Sequence, residues 1–275
     1  MPNVRDYREG VEVVGQVTYR LANLLGRLLL ALWGIRVRST GTAHLPRSGP
    51  VILAMTHVGY LDFVLVEKVA IRRGRFVRFL CRSDIWRPGP LAWAMNRMQH
   101  VPVDRMAPAH AYLIARRGLR AGEAVGIFPE AGISYSFTVR ALMPGAVALA
   151  RDTGAAIVPV AIWGSQRIWS VRRPVAGRQP RPELRRGHLV DISFGTPFTV
   201  APDADLNDST AFLGRRLTEL LDSLQRLPEH QPAPGDRAAW QPAHLGGSAP
   251  DRVEAAGLDS VPRSAVRPTW GPPVS

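Results

Sequence analysis

His57 and Asp62 stand five residues apart in Met55-Thr56-His57-Val58-Gly59-Tyr60-Leu61-Asp62, directly after the apolar run Val51–Met55. An imidazole beside a carboxylate is the smallest apparatus that takes a proton from a hydroxyl. The neutral ring accepts the proton, and the carboxylate fixes the tautomer and stabilises the imidazolium that forms. The spacing alone is common, so its meaning depends on what positions the pair and on which other residues accompany it.

The positioning elements are legible from hydrophobic pattern. Short runs rich in β-branched and aromatic residues predict strands at Ile35–Ser39, Val51–Met55, Val77–Cys81, Val125–Phe128, Ile157–Ile162 and Leu189–Phe194. Helical periodicity falls between them, at about 61–71, 90–98, 108–120 and 142–152, and again at 206–227. Alternation of this kind predicts an α/β domain with one central, mostly parallel sheet flanked by helices, over residues 35–227. In such sheets ligands gather beyond the strand carboxyl ends, and both His57 and Glu130 follow a predicted strand.

Residues 1–34 form a separate N-terminal element. Within residues 11–35, Val17, Leu21, Leu24, Leu25, Leu28 and Leu32 recur at helical spacing, while Arg20 and Arg27 keep every uncharged stretch below the length of a spanning helix. Acidic residues precede the run and no small-residue cleavage site follows, which argues against a secretory signal. Two readings follow: an amphipathic helix capping the core, or a helix lying in a membrane interface with Trp33 at headgroup level and its arginines towards anionic lipid. Residues 228–275 are rich in Pro, Gly and Ala without periodicity, and are expected to be a disordered tail.

Composition narrows the partners. The chain of 275 residues is 46% apolar and 21% charged, enough for one core. Its formal charge of +13 is carried almost wholly by arginine, with Lys68 the single lysine. A GC-rich genome and selection for bidentate anion binding both produce such a bias. The charge nominates an anionic membrane surface, an anionic small molecule or nucleic acid. Nucleic acid is not expected, because zinc-binding spacing, a basic aromatic sheet motif and a long basic tail are all missing. Cys81 is the only cysteine, so no internal disulfide can form, and a reducing cytoplasm is the default compartment.

Three further blocks follow His57…Asp62 in order: His100-Val101-Pro102-Val103-Asp104-Arg105, then Gly126-Ile127-Phe128-Pro129-Glu130-Ala131-Gly132-Ile133-Ser134, then Ile157-Val158-Pro159-Val160-Ala161-Ile162-Trp163-Gly164. Over about residues 35–200 this series resembles the glycerolipid acyltransferase family, whose best-known members are the 1-acylglycerol-3-phosphate acyltransferases that make phosphatidic acid. The resemblance implies His57 as general base and Asp62 as its orienting partner. It also implies a lysophospholipid acceptor, acyl-coenzyme A or acyl carrier protein as donor, and no metal or other cofactor. Arg105 would hold the acceptor's phosphate, and Glu130 a glycerol hydroxyl or a neighbouring cation.

The third block departs from the family pattern, since Ala131-Gly132-Ile133 stands where Gly-Thr-Arg is usual. Arg140 is the expected substitute for the absent arginine, provided the loop folds back. Gly132 and the amides around Gly59 are candidate donors to an oxyanion. The resemblance places such an enzyme on the cytoplasmic face of the cell membrane as a peripheral protein. Three other readings remain open: the same chemistry on a different acceptor, a non-catalytic membrane- or nucleic-acid-binding protein, and a metallohydrolase using His57, Asp62 and His100.

Overall fold

The computed structural model describes residues 11–104, 107–173, 181–183 and 185–272. In chain order its elements are α1 (Val11–Leu32), β1 (Arg36–Thr40), β2 (Val51–Met55), α2 (Asp62–Ala70), β3 (Val77–Arg82), α3 (Pro90–Arg97), β4 (Val101–Val103), α4 (Pro108–Arg120), β5 (Ala124–Ile127), α5 (Gly145–Thr153), β6 (Ala156–Trp163), β7 (Leu189–Phe194), α6 (Leu206–Gln225) and α7 (Arg252–Leu258). The strands form one sheet in the order β1-β7-β6-β2-β5-β3-β4. Strands β6, β2, β5, β3 and β4 run parallel, and β7 is antiparallel to β6 and parallel to β1. One end of the sheet therefore gathers the carboxyl ends of five strands and the amino ends of β7 and β1.

Strand β2 is the axis of this arrangement. All five of its side chains are buried, as expected for a parallel strand covered on both faces. It pairs with β5 on one side and β6 on the other, so any residue just past Met55 meets the residues that follow those two strands. The predicted α/β class and six predicted strands are present. The unpredicted seventh, β4, has three residues and pairs Pro102 at the sheet edge, a place where proline's missing N–H is tolerated.

Helix α1 forms where periodicity placed it, and of the two orientations left open its leucine row takes the outward one. Val17, Leu21, Leu24, Leu25, Leu28 and Leu32 are all at least half exposed, while Tyr19 and Leu30 are buried. The Tyr19 hydroxyl donates to the carbonyl of Val77 (2.8 Å) and accepts from its amide (3.2 Å), tying α1 to β3. The wider apolar stripe is thus not what caps the core. Trp33, expected at headgroup level, packs partly buried against the core.

Beyond residue 228 the chain is mostly irregular, as its composition implies, yet it is laid across the domain rather than disordered as expected. Val266 bridges Leu142 through paired backbone hydrogen bonds. Trp270 is buried, and its ring lies so near Gly214 of α6 that a Cβ there would come within 2.4–2.6 Å. An aromatic anchor of this size supplies the buried area that periodicity in the segment did not announce.

Glu67 of α2 is a buried carboxyl outside the strand-end cluster. Its Oε2 accepts from the Val77 amide (3.3 Å), and its Oε1 has no partner among the described residues. Burial pushes it up to about 8. Between the unfolded value near 4.3 and about 8 the folded protein holds a proton that the unfolded chain has released, so this residue's contribution to stability is lost as pH rises through that window. Glu67→Gln is expected to raise the melting temperature near pH 8.5 and leave it almost unchanged near pH 5, as read by calorimetry across that range.

Candidate active site

Thr56 fixes the direction in which the chain leaves β2. Its amide donates to the carbonyl of Val160 (3.0 Å), and its hydroxyl accepts from the amide of Ile162 (3.0 Å), so the end of β2 is clamped to β6. His57 follows at once. Its Nδ1 lies 3.0 Å from Oδ2 of Asp62, the first residue of α2, and that same oxygen accepts the amides of Val58 (2.8 Å) and Gly59 (2.9 Å). The other oxygen, Oδ1, accepts the hydroxyl of Ser165 from the turn after β6. With Oδ2 already receiving two N–H groups, Nδ1 carries the hydrogen, and the lone pair of the neutral ring rests on Nε2.

Asp62 is fully buried, whereas the His57 side chain keeps 20% of its surface exposed. The Phe128 ring forms one wall, its centroid 4.2 Å from that of the imidazole at a 30° tilt. The ring thus has Nδ1 engaged and Nε2 as the nitrogen able to accept a proton. Gly59 is required by close approach: a Cβ there would lie 2.8 Å from the Ser165 hydroxyl and 2.9 Å from its carbonyl carbon.

Glu130, past the end of β5, closes the cluster from the other flank. Its Oε1 accepts the amide of His57 (2.9 Å) and its Oε2 the amide of Arg140 (3.2 Å). Burial pushes its carboxyl up to about 7, partly offset by the His57 amide and by Arg140. Both oxygens are thus already committed to backbone, so in this arrangement Glu130 holds the loop and the base together.

Arg140 does fold back onto the loop. Its Nε donates to the carbonyl of Glu130 (3.0 Å), and its guanidinium lies over Gly132, where a Cβ would fall 2.5 Å from Nη2. Ile133 turns into the core instead. The preceding Ala131 has φ +53°, a left-handed conformation that glycine adopts without strain.

The charge of Arg140 is already answered. Asp259, from the segment after α7, places Oδ2 3.6 Å from Nη1, accepts the Ser134 hydroxyl (2.7 Å) and accepts the Tyr135 amide (3.0 Å). Hydroxyls of Ser134, Ser136 and Thr138 continue from it as a chain of hydrogen bonds (2.9 and 2.8 Å).

The structure therefore brings together His57, Asp62, Glu130, Gly132 and Arg140, and Arg105 lies outside the described residues. His100 is elsewhere: its Nδ1 accepts the Phe79 amide in the core (3.2 Å), and burial pushes it down to about 3. Among the described residues no group of three His, Cys, Asp or Glu is arranged to hold a metal. Sequence reasoning missed Ser165 and Asp259. For Ser165 the available signal was its place just after a predicted strand neighbouring the His57 strand; Asp259 had none, because its surroundings lack periodicity.

The Acyltransferase family model matches residues 36–163, the span that runs from β1 to the end of β6 and includes every strand-end residue named above except Ser165. Over that span the chain is similar to the acyltransferases, as the ordered blocks of its sequence implied. A chloroplastic 1-acyl-sn-glycerol-3-phosphate acyltransferase of Arabidopsis thaliana is 28% identical over 48% of this chain and 37% of its own length. A lyso-ornithine lipid O-acyltransferase of Brucella abortus is 27% identical over 74% of this chain and 82% of its own. The chain thus spans little more than a third of its chloroplastic relative. The crystal structure of the 1-acyl-sn-glycerophosphate acyltransferase from Thermotoga maritima superposes with a TM-score of 0.62 over 80% of this chain and 86% of that one, at 15% identity, and shares the fold.

Within this acyltransferase domain the contact of Gly59 with Ser165 is the tightest test of the site's construction. Gly59→Ala is expected to destabilise the protein by about 1–3 kcal/mol, the range for overpacking. Gly257→Ala in α7, where a Cβ would meet nothing within 4 Å, is expected to be neutral or slightly stabilising. Thermal unfolding of the two variants beside the parent checks both.

Proposed function

We propose that the protein transfers a fatty acyl group from acyl-coenzyme A or acyl carrier protein to the free hydroxyl of a lysolipid, 1-acylglycerol-3-phosphate in the first instance, giving phosphatidic acid. The observation that carries this reading is the His57 imidazole, partly exposed and held through Nδ1 by a buried Asp62, at the end of the central strand.

In this mechanism the acceptor hydroxyl gives its proton to Nε2 while its oxygen attacks the thioester carbonyl. The new C–O bond forms, the C–S bond breaks, and the proton passes from the imidazolium to the leaving thiolate. No group on the enzyme becomes acylated and no metal takes part. Asp62 and Ser165 keep the ring aimed; Glu130 keeps the His57 backbone in place. The amides that Asp62 and Glu130 occupy are not free for an oxyanion, which leaves the backbone near Gly132 as the donor candidate.

The acceptor and donor are membrane lipid and amphiphile, so the exposed leucine row of α1 has a use: it lies in the interface while nearby arginines meet anionic headgroups. No helix among the described residues is long and apolar enough to cross a membrane. In this reading the enzyme works as a peripheral protein at the cytoplasmic face of the membrane, where acyl-coenzyme A and acyl carrier protein are found.

A second acceptor class is favoured by one observation. Asp259 already fills the positive, hydrogen-bond-donating corner made by Ser134, Tyr135 and Arg140, so a phosphate approaching that corner meets a carboxylate. One relative is itself named for a lyso-ornithine lipid.

Purified protein with labelled donor and a panel of lysolipids tests the proposal. His57→Ala is expected to lose about 10²–10⁴-fold in rate, and full activity in that variant would end it. On the same panel Asp259→Asn, which keeps the hydrogen-bond acceptor and removes the charge, is expected to raise kcat/KM for 1-acylglycerol-3-phosphate relative to a phosphate-free lysolipid. An unchanged ratio would remove Asp259 from the choice of acceptor.

A further inference from the structure

At the end of the sheet that carries His57 lies a second, strongly basic feature that the acyl-transfer site does not use. A cleft of about 350 Å³ is lined by Arg36, Arg38, Arg167, Arg185, Arg186 and His188, with Glu229 at its rim. Topology explains why it sits there. Arg36 and His188 stand at the amino ends of β1 and β7, the two strands that run against the rest, and Arg167 belongs to the turn after β6. That turn also supplies the Ser165 hydroxyl to Asp62, so the cleft and the base share a structural element.

Among the described residues the cleft holds more cations than it has carboxylates to pair them. Arg38 is neutralised, by both oxygens of Asp191 (2.8 and 2.9 Å) and by Glu229 (2.6 Å), and the Arg167 guanidinium is fixed over the Trp240 ring at 4.4 Å. Arg36, Arg185 and Arg186 are exposed and make no ion pair among the described residues. His188 is the deepest group, 8% exposed, and its Nε2 has no hydrogen-bond partner among the described residues. A buried ring nitrogen left unpaired costs free energy unless something completes it. Like charges gathered in one concavity repel each other, and a polyanion relieves that repulsion while accepting bidentate hydrogen bonds from guanidinium groups.

The spacing to His57 selects the polyanion. From β2 to β7 is two strand intervals and to β1 three, about 10–14 Å across the sheet end. The pantetheine arm of coenzyme A, from its sulfur to its first phosphate, matches about four residues of extended chain, roughly 14 Å. With the thioester carbonyl at His57, the arm reaches the cleft. Resting on the acyltransferase reading above, we propose that this cleft binds the phosphates of the acyl-coenzyme A donor, with Arg36, Arg185 and Arg186 meeting the phosphate groups and His188 completing a hydrogen bond at the floor.

Anionic lipid headgroups present the same phosphate chemistry, so the test separates the two. The full chain and the variant carrying Arg36→Ala, Arg185→Ala and Arg186→Ala are titrated calorimetrically with free coenzyme A, assayed over acyl-coenzyme A concentration, and sedimented with phosphatidylglycerol vesicles. The expected result is a loss of about tenfold or more in coenzyme A affinity, with an equal rise in donor KM. The kcat at saturating donor, the acceptor KM and the vesicle binding are expected to stay near parental. Unchanged coenzyme A affinity in the triple variant, no binding by the parent chain, or a fall in vesicle binding with donor KM unmoved would each overturn the assignment. If the triple variant fails to fold, the single Arg185→Ala and Arg186→Ala variants carry the same readouts, each with a smaller expected loss. The titration needs no turnover, so a failure of the acyl-transfer reading, seen as activity independent of His57, is distinguishable from a failure of this site.

Discussion

The carboxyl group of Asp62 is the constraint on which the site depends. Four donors converge on its two oxygens: the His57 ring, the amides of Val58 and Gly59, and the hydroxyl of Ser165. Those donors come from the end of β2, from the turn into α2 and from the turn after β6, so one buried residue joins three separately formed pieces of chain. A buried carboxyl is costly unless its lone pairs are filled, and here each oxygen is engaged. The same bonds that satisfy it also fix which nitrogen of His57 carries the hydrogen. Structural satisfaction and chemical orientation are therefore one interaction, not two.

A second carboxyl performs the complementary task across the strand. Glu130 receives the His57 amide on one oxygen and the Arg140 amide on the other, so the backbone of the base is held from the β5 side while its ring is held from the α2 side. The two acids have different surroundings. Asp62 meets four donors, whereas Glu130 is buried with two amide donors and only Arg140 as a nearby cation, and burial dominates its upward shift. An imidazole held in both angle and height is what the proposed single-step proton transfer to Nε2 requires.

How much of this was legible in the sequence depends on range. Six strands were found because β-branched residues cluster in runs bounded by turn residues, and the His57 pair and the Glu130 loop because their spacing is local. β4 was not, since three residues containing Pro102 carry no period. The direction of α1 stayed open because periodicity reports two faces but not which one meets the protein; Tyr19, whose hydroxyl binds β3, decided it. The fold of 228–272 escaped because its anchors, Asp259, Val266 and Trp270, are single long-range contacts separated by irregular chain. Ser165 meets Asp62 across 103 positions, a relation that no local pattern encodes.

Position 133 and Arg140 divide two tasks in the loop after β5. An arginine at that place would have to leave the core; Ile133 instead joins it, and the loop gains a buried apolar anchor. The cation returns as Arg140, which reaches the same loop because its Nε finds the carbonyl of Glu130 and because Gly132 has no side chain to exclude its guanidinium. A buried guanidinium requires a counter-charge, and Asp259 supplies one from 119 positions away together with hydrogen bonds to Ser134 and Tyr135. The segment after α7 is thereby fastened to the loop after β5 by the residue whose charge answers Arg140. Any anionic group approaching Arg140 must compete with a carboxylate tethered beside it, so the charge offered by this loop is set as much by the last described part of the chain as by the loop itself.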